Sequence, residues 1–99
     1  MKKTVKEYKS VKDFGLALGL SPLDIELIRQ KKKLIDKLKA AREKQGVSQA
    51  KLAIMIGSKQ PAIARMESGQ ISEVSMDFLL KVALALEISV TIKPDLGAA

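Results

Sequence analysis

The chain has 99 residues, which is the size of one domain, and it contains neither cysteine nor histidine. Disulfides, thiolate metal sites and cysteine nucleophiles are therefore excluded, and the residue that most often serves enzymes as general base is missing. The formal net charge is +7. No apolar run approaches the ~20 residues of a membrane-spanning helix, and the basic N-terminus lacks the apolar stretch of a signal peptide. We therefore expect a soluble, cytoplasmic protein without a cofactor or a metal.

The charge is unevenly placed along the chain. Residues 1–65 contain 16 basic and 6 acidic side chains, whereas residues 66–99 contain 2 basic and 5 acidic ones. This asymmetry is typical of a protein that meets a polyanion with one face only. The alternative is a lysine-rich surface that serves only solubility.

Apolar residues at helical spacing predict an all-α fold of five or six helices. Serines mark the helix starts, since Ser10 and Ser21 each precede an aspartate by three residues, as in a capping box. Glycines follow several helical segments, where a helix commonly ends in a left-handed residue. The polar run at 29–33 could divide the longest helix. The predicted helices are 10–18, 22–45, 49–56, 60–67 and 75–86.

The periodicity changes after the last predicted helix. Ile88, Val90 and Ile92 alternate with polar residues, which is the pattern of a half-buried β-strand, and Pro94 ends it. Because a single strand cannot satisfy its own hydrogen-bond ladder, we expect it to pair with its copy in a second subunit or with a partner protein. The alternative is a coil tail.

The stretch VSQAKLAIMIGSKQPAIARMESG, residues 47–69, is the most informative part of the sequence. A helix of about eight residues from Gln49, a glycine turn at Gly57 and a second short helix that ends at Gly69 form the length pattern of a helix-turn-helix. The alternative is an ordinary helical hairpin with a solvated polar face.

The second helix of this motif has an outward face suited to base edges. Gln pairs with adenine, Arg and Lys read guanine, and Pro offers apolar contact to a thymine methyl group. At the start of the preceding helix, Gln49 would meet a phosphate near the positive end of the helix dipole. The expected base contacts are Lys59, Gln60, Pro61 and Arg65. The expected phosphate contacts are Lys44, Gln49 and Ser58.

This run resembles the lambda-repressor-like helix-turn-helix family, also called the Xre or Cro/C1-type family. The residues that carry the resemblance are Ser48, Gln49, Leu52, Ala53, Gly57, Gln60, Ile63, Glu67 and Gly69. Residues 79–90 are similar to the family's next helix and to the segment that follows that helix. The resemblance therefore covers about 34–90. Pro61 departs from the Gln, Ser or Thr that is frequent at its position, which removes one polar base contact.

The resemblance implies roles for individual residues. It implies base contacts from Lys59, Gln60 and Arg65 and phosphate contacts from Ser48 and Gln49. It also implies an internal ion pair between Arg42 and Glu67, for which the alternative is two solvated charges.

These elements divide the chain into three parts: a helical N-terminal extension at 1–33, the helix-turn-helix DNA-binding domain at 34–88, and a C-terminal strand and tail at 89–99. The apolar residues of the extension either pack on the central domain or bind a partner. Its lysines could form a basic arm that adds phosphate contacts.

This organisation resembles the HigA-type antitoxins of toxin–antitoxin modules. The resemblance implies a homodimer that binds double-stranded operator DNA, represses its own promoter and neutralises a ribonuclease toxin. A stand-alone repressor of the same family is the alternative. An enzyme is disfavoured because the candidate carboxylates lie near helix starts, where the dipole favours them anyway. A membrane-surface helix is disfavoured because the basic stretch 29–44 lacks aromatic anchors.

Overall fold

The computed structural model describes residues 16–94 of the chain, and this part is helical. A single-turn 3-10 helix, Ile71–Glu73, precedes the last α-helix. The all-helical class expected from the sequence is therefore confirmed. The four α-helices are α1 (Pro22–Lys44), α2 (Gln49–Met55), α3 (Gln60–Glu67) and α4 (Met76–Leu86).

Two details of the predicted helices need correction. Four α-helices lie in residues 16–94 instead of the five or six expected, and the helix predicted at 10–18 falls mostly outside the described residues. The polar run at 29–33 does not interrupt α1. That run contains neither glycine nor proline, and ion pairs support the helix on both sides of it, between Arg29 and Glu26 at 3.0 Å and between Lys32 and Asp36 at 3.0 Å.

The predicted C-terminal strand is also wrong, because residues 88–92 form no strand. No segment within residues 16–94 offers a ladder of hydrogen bonds to them, so the chain continues as coil. Ile88 and Val90 pack against the core, whereas Ile92 is 60% exposed. Lys37 Nζ donates to the carbonyl oxygen of Ser89 at 2.9 Å, which holds the coil against α1. The alternation of apolar and polar residues therefore reflects a coil segment in which Ile88 and Val90 contact the core and the residue between them faces solvent.

Serine caps fix the starts of three helices, as the sequence indicates. Ser21 and Asp24 form a capping box, in which the Asp24 amide donates to Ser21 Oγ at 3.1 Å and the Ser21 amide donates to Asp24 Oδ2 at 3.3 Å. Ser48 caps α2 and Ser75 caps α4, each by accepting from an amide three residues later. These caps set the residue at which each helix begins.

The compact unit that contains the helix-turn-helix runs from Gln30 to Ile92. Each of its four helices contributes apolar side chains to one core, and the helical spacing of these side chains leaves the opposite faces to solvent. The fully buried large side chains of this core are Ile35, Leu38, Leu52, Ile63, Met66, Leu79, Val82 and Leu86.

The turn between α2 and α3 depends on a glycine. Gly57 has φ of +70°, a left-handed conformation that glycine adopts without steric cost. The Gly57 amide donates to the carbonyl oxygen of Ile54 at 3.1 Å, and the Ser58 amide donates to that of Ala53 at 2.8 Å. This is the hydrogen-bond pattern of a Schellman motif, and it directs the chain from α2 into α3.

Candidate nucleic-acid interface

The two helices of the motif pack through small and apolar side chains. Ala53 of α2 is buried, as are Ile63 and Met66 of α3. The small side chain at 53 allows the helices to approach closely, and the buried residues of α3 lie on one side of that helix. The other side of α3 is therefore left for a ligand.

The residues predicted to contact bases are exposed, from the residue before α3 to the last turn of that helix. Lys59, Gln60, Pro61 and Arg65 are all exposed. Lys59 precedes the helix in an extended conformation, and no side chain caps this helix end. Pro61 and Arg65 are four residues apart and so share a helical face. The structure thus places the four side chains where a DNA duplex could reach them.

The starts of α2 and α3 are joined by two glutamines. Gln60 Nε2 donates to Gln49 Oε1 at 2.7 Å. Gln49 is partly buried and lies at the first position of α2. The predicted phosphate contact and the predicted base contact are therefore hydrogen-bonded to each other before any DNA is present.

The structure also brings Arg42 and Glu67 together. Arg42 Nε donates to Glu67 Oε2 at 2.6 Å and Arg42 Nη2 donates to Glu67 Oε1 at 2.8 Å, a bidentate pair. The two side chains are only 11% and 3% exposed. Arg42 Nη1 also donates to the carbonyl oxygen of Val47 at 2.7 Å. The guanidinium thus joins the last turn of α1, the loop before α2 and the end of α3.

Sequence reasoning missed the connection between the ion pair and the glutamines. Gln49 Nε2 donates to Glu67 Oε1 at 2.9 Å, so Glu67 accepts from α1 and from α2. No periodicity in the sequence relates Gln49 to Glu67, because they lie on different helices. Lys39 was also missed. It lines the same surface depression as Arg42 and Glu67, and its position three residues before Arg42 on α1 could have indicated this.

Burial and pairing act in opposite directions on the pKa of Glu67. Burial raises it, but the hydrogen bonds from Arg42 and Gln49 and the charges of Arg42 and Lys39 together outweigh this effect. The pKa of Glu67 therefore lies below its ordinary value. The hydrogen bond to Glu67 raises the pKa of Arg42, more than burial lowers it. Both groups are charged at neutral pH.

The residues predicted to contact phosphate lie within a short stretch, 44–58. Lys44 and Ser48 are exposed, whereas Gln49 and Ser58 are partly buried. Ser48 Oγ accepts the Lys51 amide at 3.0 Å, and a hydroxyl that accepts can still donate its own hydrogen. Ser58 lines a second depression together with Arg65 of α3 and Glu73 of the 3-10 helix.

Other kinds of site have no support in the described residues. No group of three or more Asp and Glu side chains in residues 16–94 is arranged to hold a metal ion. None of the helices in this range combines the length and apolar character needed to cross a membrane.

The sequence model of the Helix-turn-helix family matches residues 38–93, which is more than half of the chain. The chain therefore belongs to this family of DNA-binding modules, and the resemblance to the lambda-repressor-like group is confirmed. Family membership indicates a DNA-binding protein and not an enzyme.

A curated relative is similar to this chain over part of its length. It is a Haemophilus influenzae protein described as an uncharacterized HTH-type transcriptional regulator, and it is 39% identical over 61 residues. The match covers 62% of this chain and 61% of the relative, so the chain spans about three fifths of that protein's length. No solved structure shows a comparable match.

We expect the Arg42→Ala substitution to destabilise the fold by about 3–5 kcal/mol, because it leaves the Glu67 carboxylate buried without its charged partner. The matched control is Lys32→Ala, which breaks an exposed ion pair and should change stability very little. Urea denaturation followed by circular dichroism measures both. Similar losses for the two variants would contradict a structural role for the Arg42–Glu67 pair.

The lowered pKa of Glu67 predicts a pH dependence of stability. The unfolded chain binds a proton at Glu67 more readily than the folded chain does. The contribution of the ionised carboxylate to the free energy of unfolding is therefore fully present above the unfolded pKa of about 4.3. It is lost as the pH falls through the lower pKa of the folded state. Denaturation midpoints should therefore decrease more steeply with falling pH in the native chain than in Glu67→Gln. Parallel profiles for the two proteins would argue against this.

Proposed function

We propose that the chain is a sequence-specific transcriptional regulator that inserts α3 into the major groove of an operator. The observation that carries the proposal is the exposed face of α3, formed by Lys59, Gln60, Pro61 and Arg65, directly after a helix-turn-helix bend. These side chains match the donors, acceptors and methyl groups that base pairs display in the major groove. In this arrangement Gln60 reads adenine and Arg65 reads guanine.

The charge distribution around the motif supports the proposal. Between Glu43 and Glu67 the chain has four basic residues and no acidic one. Glu67, which closes this stretch, is buried and paired with Arg42, so its charge is compensated. The stretch between Glu43 and Glu67 therefore carries a net positive charge, which favours a polyanion.

The phosphate contacts follow from the helix starts and the end of α1. Ser48 and Gln49 lie where α2 begins, and the free backbone amides of a helix start favour an anion. Lys44 lies in the last turn of α1 and Ser58 in the turn before α3. In the proposed complex these groups hold the duplex in register, while α3 reads the bases.

The finer proposal is that the chain is the antitoxin of a HigBA-type module, which acts in the cytoplasm as a homodimer on its own promoter and binds a ribonuclease toxin. The observation that favours a protein partner is a group of exposed leucines at the N-terminal side, where Leu23 is 69% exposed. In this proposal the leucines form one contiguous apolar patch, which is the kind of surface that marks a protein interaction site. The exposed leucines are Leu16, Leu18, Leu23 and Leu27. A stand-alone repressor of the same family is the second candidate.

Two alanine variants test the DNA-binding roles. Arg65→Ala should weaken binding to the chain's own promoter by about 1–3 kcal/mol and relax the preference at one base position, since Arg65 contacts a base edge. Lys44→Ala should weaken binding to promoter and random duplex alike, because it contacts phosphate. Fluorescence anisotropy with both duplexes at fixed salt measures this. Identical loss profiles for the two variants would contradict the assignment.

A second pair of variants tests the antitoxin role. The chain is co-expressed with the product of the neighbouring reading frame, and co-purification is measured. Leu23→Asp should reduce the amount of partner recovered at least tenfold, because a charge would lie in the apolar contact. Leu84→Asp on α4 is the control, since Leu84 is 78% exposed in a different part of the chain. A neighbouring product that does not bind the native chain would instead favour the stand-alone repressor.

A further inference from the structure

Four side chains form a continuous series of hydrogen bonds from the domain interior to the start of α3. Arg42 donates to Glu67 through two nitrogens, at 2.6 and 2.8 Å. Gln49 Nε2 donates to Glu67 Oε1 at 2.9 Å, and Gln60 Nε2 donates to Gln49 Oε1 at 2.7 Å. Each glutamine in this series therefore donates toward the interior.

The direction of this series is imposed by Glu67. An ionised carboxylate can only accept hydrogen bonds, so the amide nitrogen of Gln49 must face it. The amide oxygen of Gln49 then faces Gln60, which in turn must present its nitrogen to that oxygen. The Arg42 guanidinium, paired with Glu67 through two hydrogen bonds, keeps the buried carboxylate ionised and so maintains this direction.

We propose that Glu67 is a positioning residue that fixes the amide orientation of Gln60 and thereby its preference for adenine. The inference rests on the proposed DNA-binding function and deepens it. With one amide hydrogen directed at Gln49, Gln60 keeps its oxygen and its second amide hydrogen for the groove. This pair of an acceptor and a donor complements adenine, which presents the N6 donor and the N7 acceptor there.

The opposite orientation would select a different base. If Gln49 presented its nitrogen to Gln60, the oxygen of Gln60 would be engaged and both of its amide hydrogens would face the groove. Two donors complement the N7 and O6 acceptors of guanine. The buried carboxylate therefore decides between two readings of the same exposed glutamine, although it does not itself reach the DNA.

Selection from a random duplex library with the full-length chain tests this inference. The Gln60→Met variant identifies the motif position that Gln60 reads, because the base preference disappears there. Glu67→Gln allows the amides to reverse, so the ratio of adenine to guanine at that position should fall about fivefold or more. Gln49→Met, which leaves the ion pair in place, should lower the adenine preference at the same position. Circular dichroism establishes that each variant is folded.

The outcomes separate the inference from the proposed function. If the native chain enriches no motif, the proposed function fails and the inference fails with it. If the native chain enriches a motif but Glu67→Gln and Gln49→Met keep the native base ratio at the Gln60 position, only the inference is overturned. A purely structural role of Glu67 would lower affinity for all sequences and leave that ratio unchanged. Should Glu67→Gln fail to fold, Gln49→Met alone decides between these results.

Discussion

The helix-turn-helix of this protein depends on one buried ion pair. Arg42 and Glu67 join the end of α1 to the end of α3, and a further donor of Arg42 binds the loop before α2. Burying two charges is costly, and a buried pair is often no more stable than a well-packed apolar alternative. Its value here is geometric, because a bidentate pair permits few orientations of α3 relative to α1. The direction in which α3 presents its exposed face follows from this constraint.

The same ion pair compensates the charge of an acidic residue that lies next to the proposed DNA-binding surface. Glu67 closes a stretch that is otherwise basic, and an exposed carboxylate there would repel phosphate. Burial and the Arg42 guanidinium compensate its charge, while its oxygens accept from Gln49. One carboxylate thus links α1, α2 and α3 through its hydrogen bonds, and its charge is compensated by Arg42.

The sequence allowed much of the fold to be predicted, because its signals are local. Ser48 and Ser75 at helix starts and the left-handed Gly57 act within a few residues, so their roles can be read from the chain. The connection of Gln49 to both Glu67 and Gln60 could not be predicted, because it depends on how separate helices pack. The strand expected at 88–92 failed for a related reason. Alternation shows that one side is buried but not whether a partner strand exists.

The central claim is that the exposed face of α3 meets the major groove, and dimethyl sulfate interference on the chain's own promoter tests it most directly. The reagent methylates guanine at N7 in the major groove and adenine at N3 in the minor groove. The account predicts that methylation at guanine N7 blocks binding at the position read by Arg65, and that Arg65→Ala removes this interference. Interference confined to adenine N3, with guanine N7 methylation tolerated throughout the site, would contradict it.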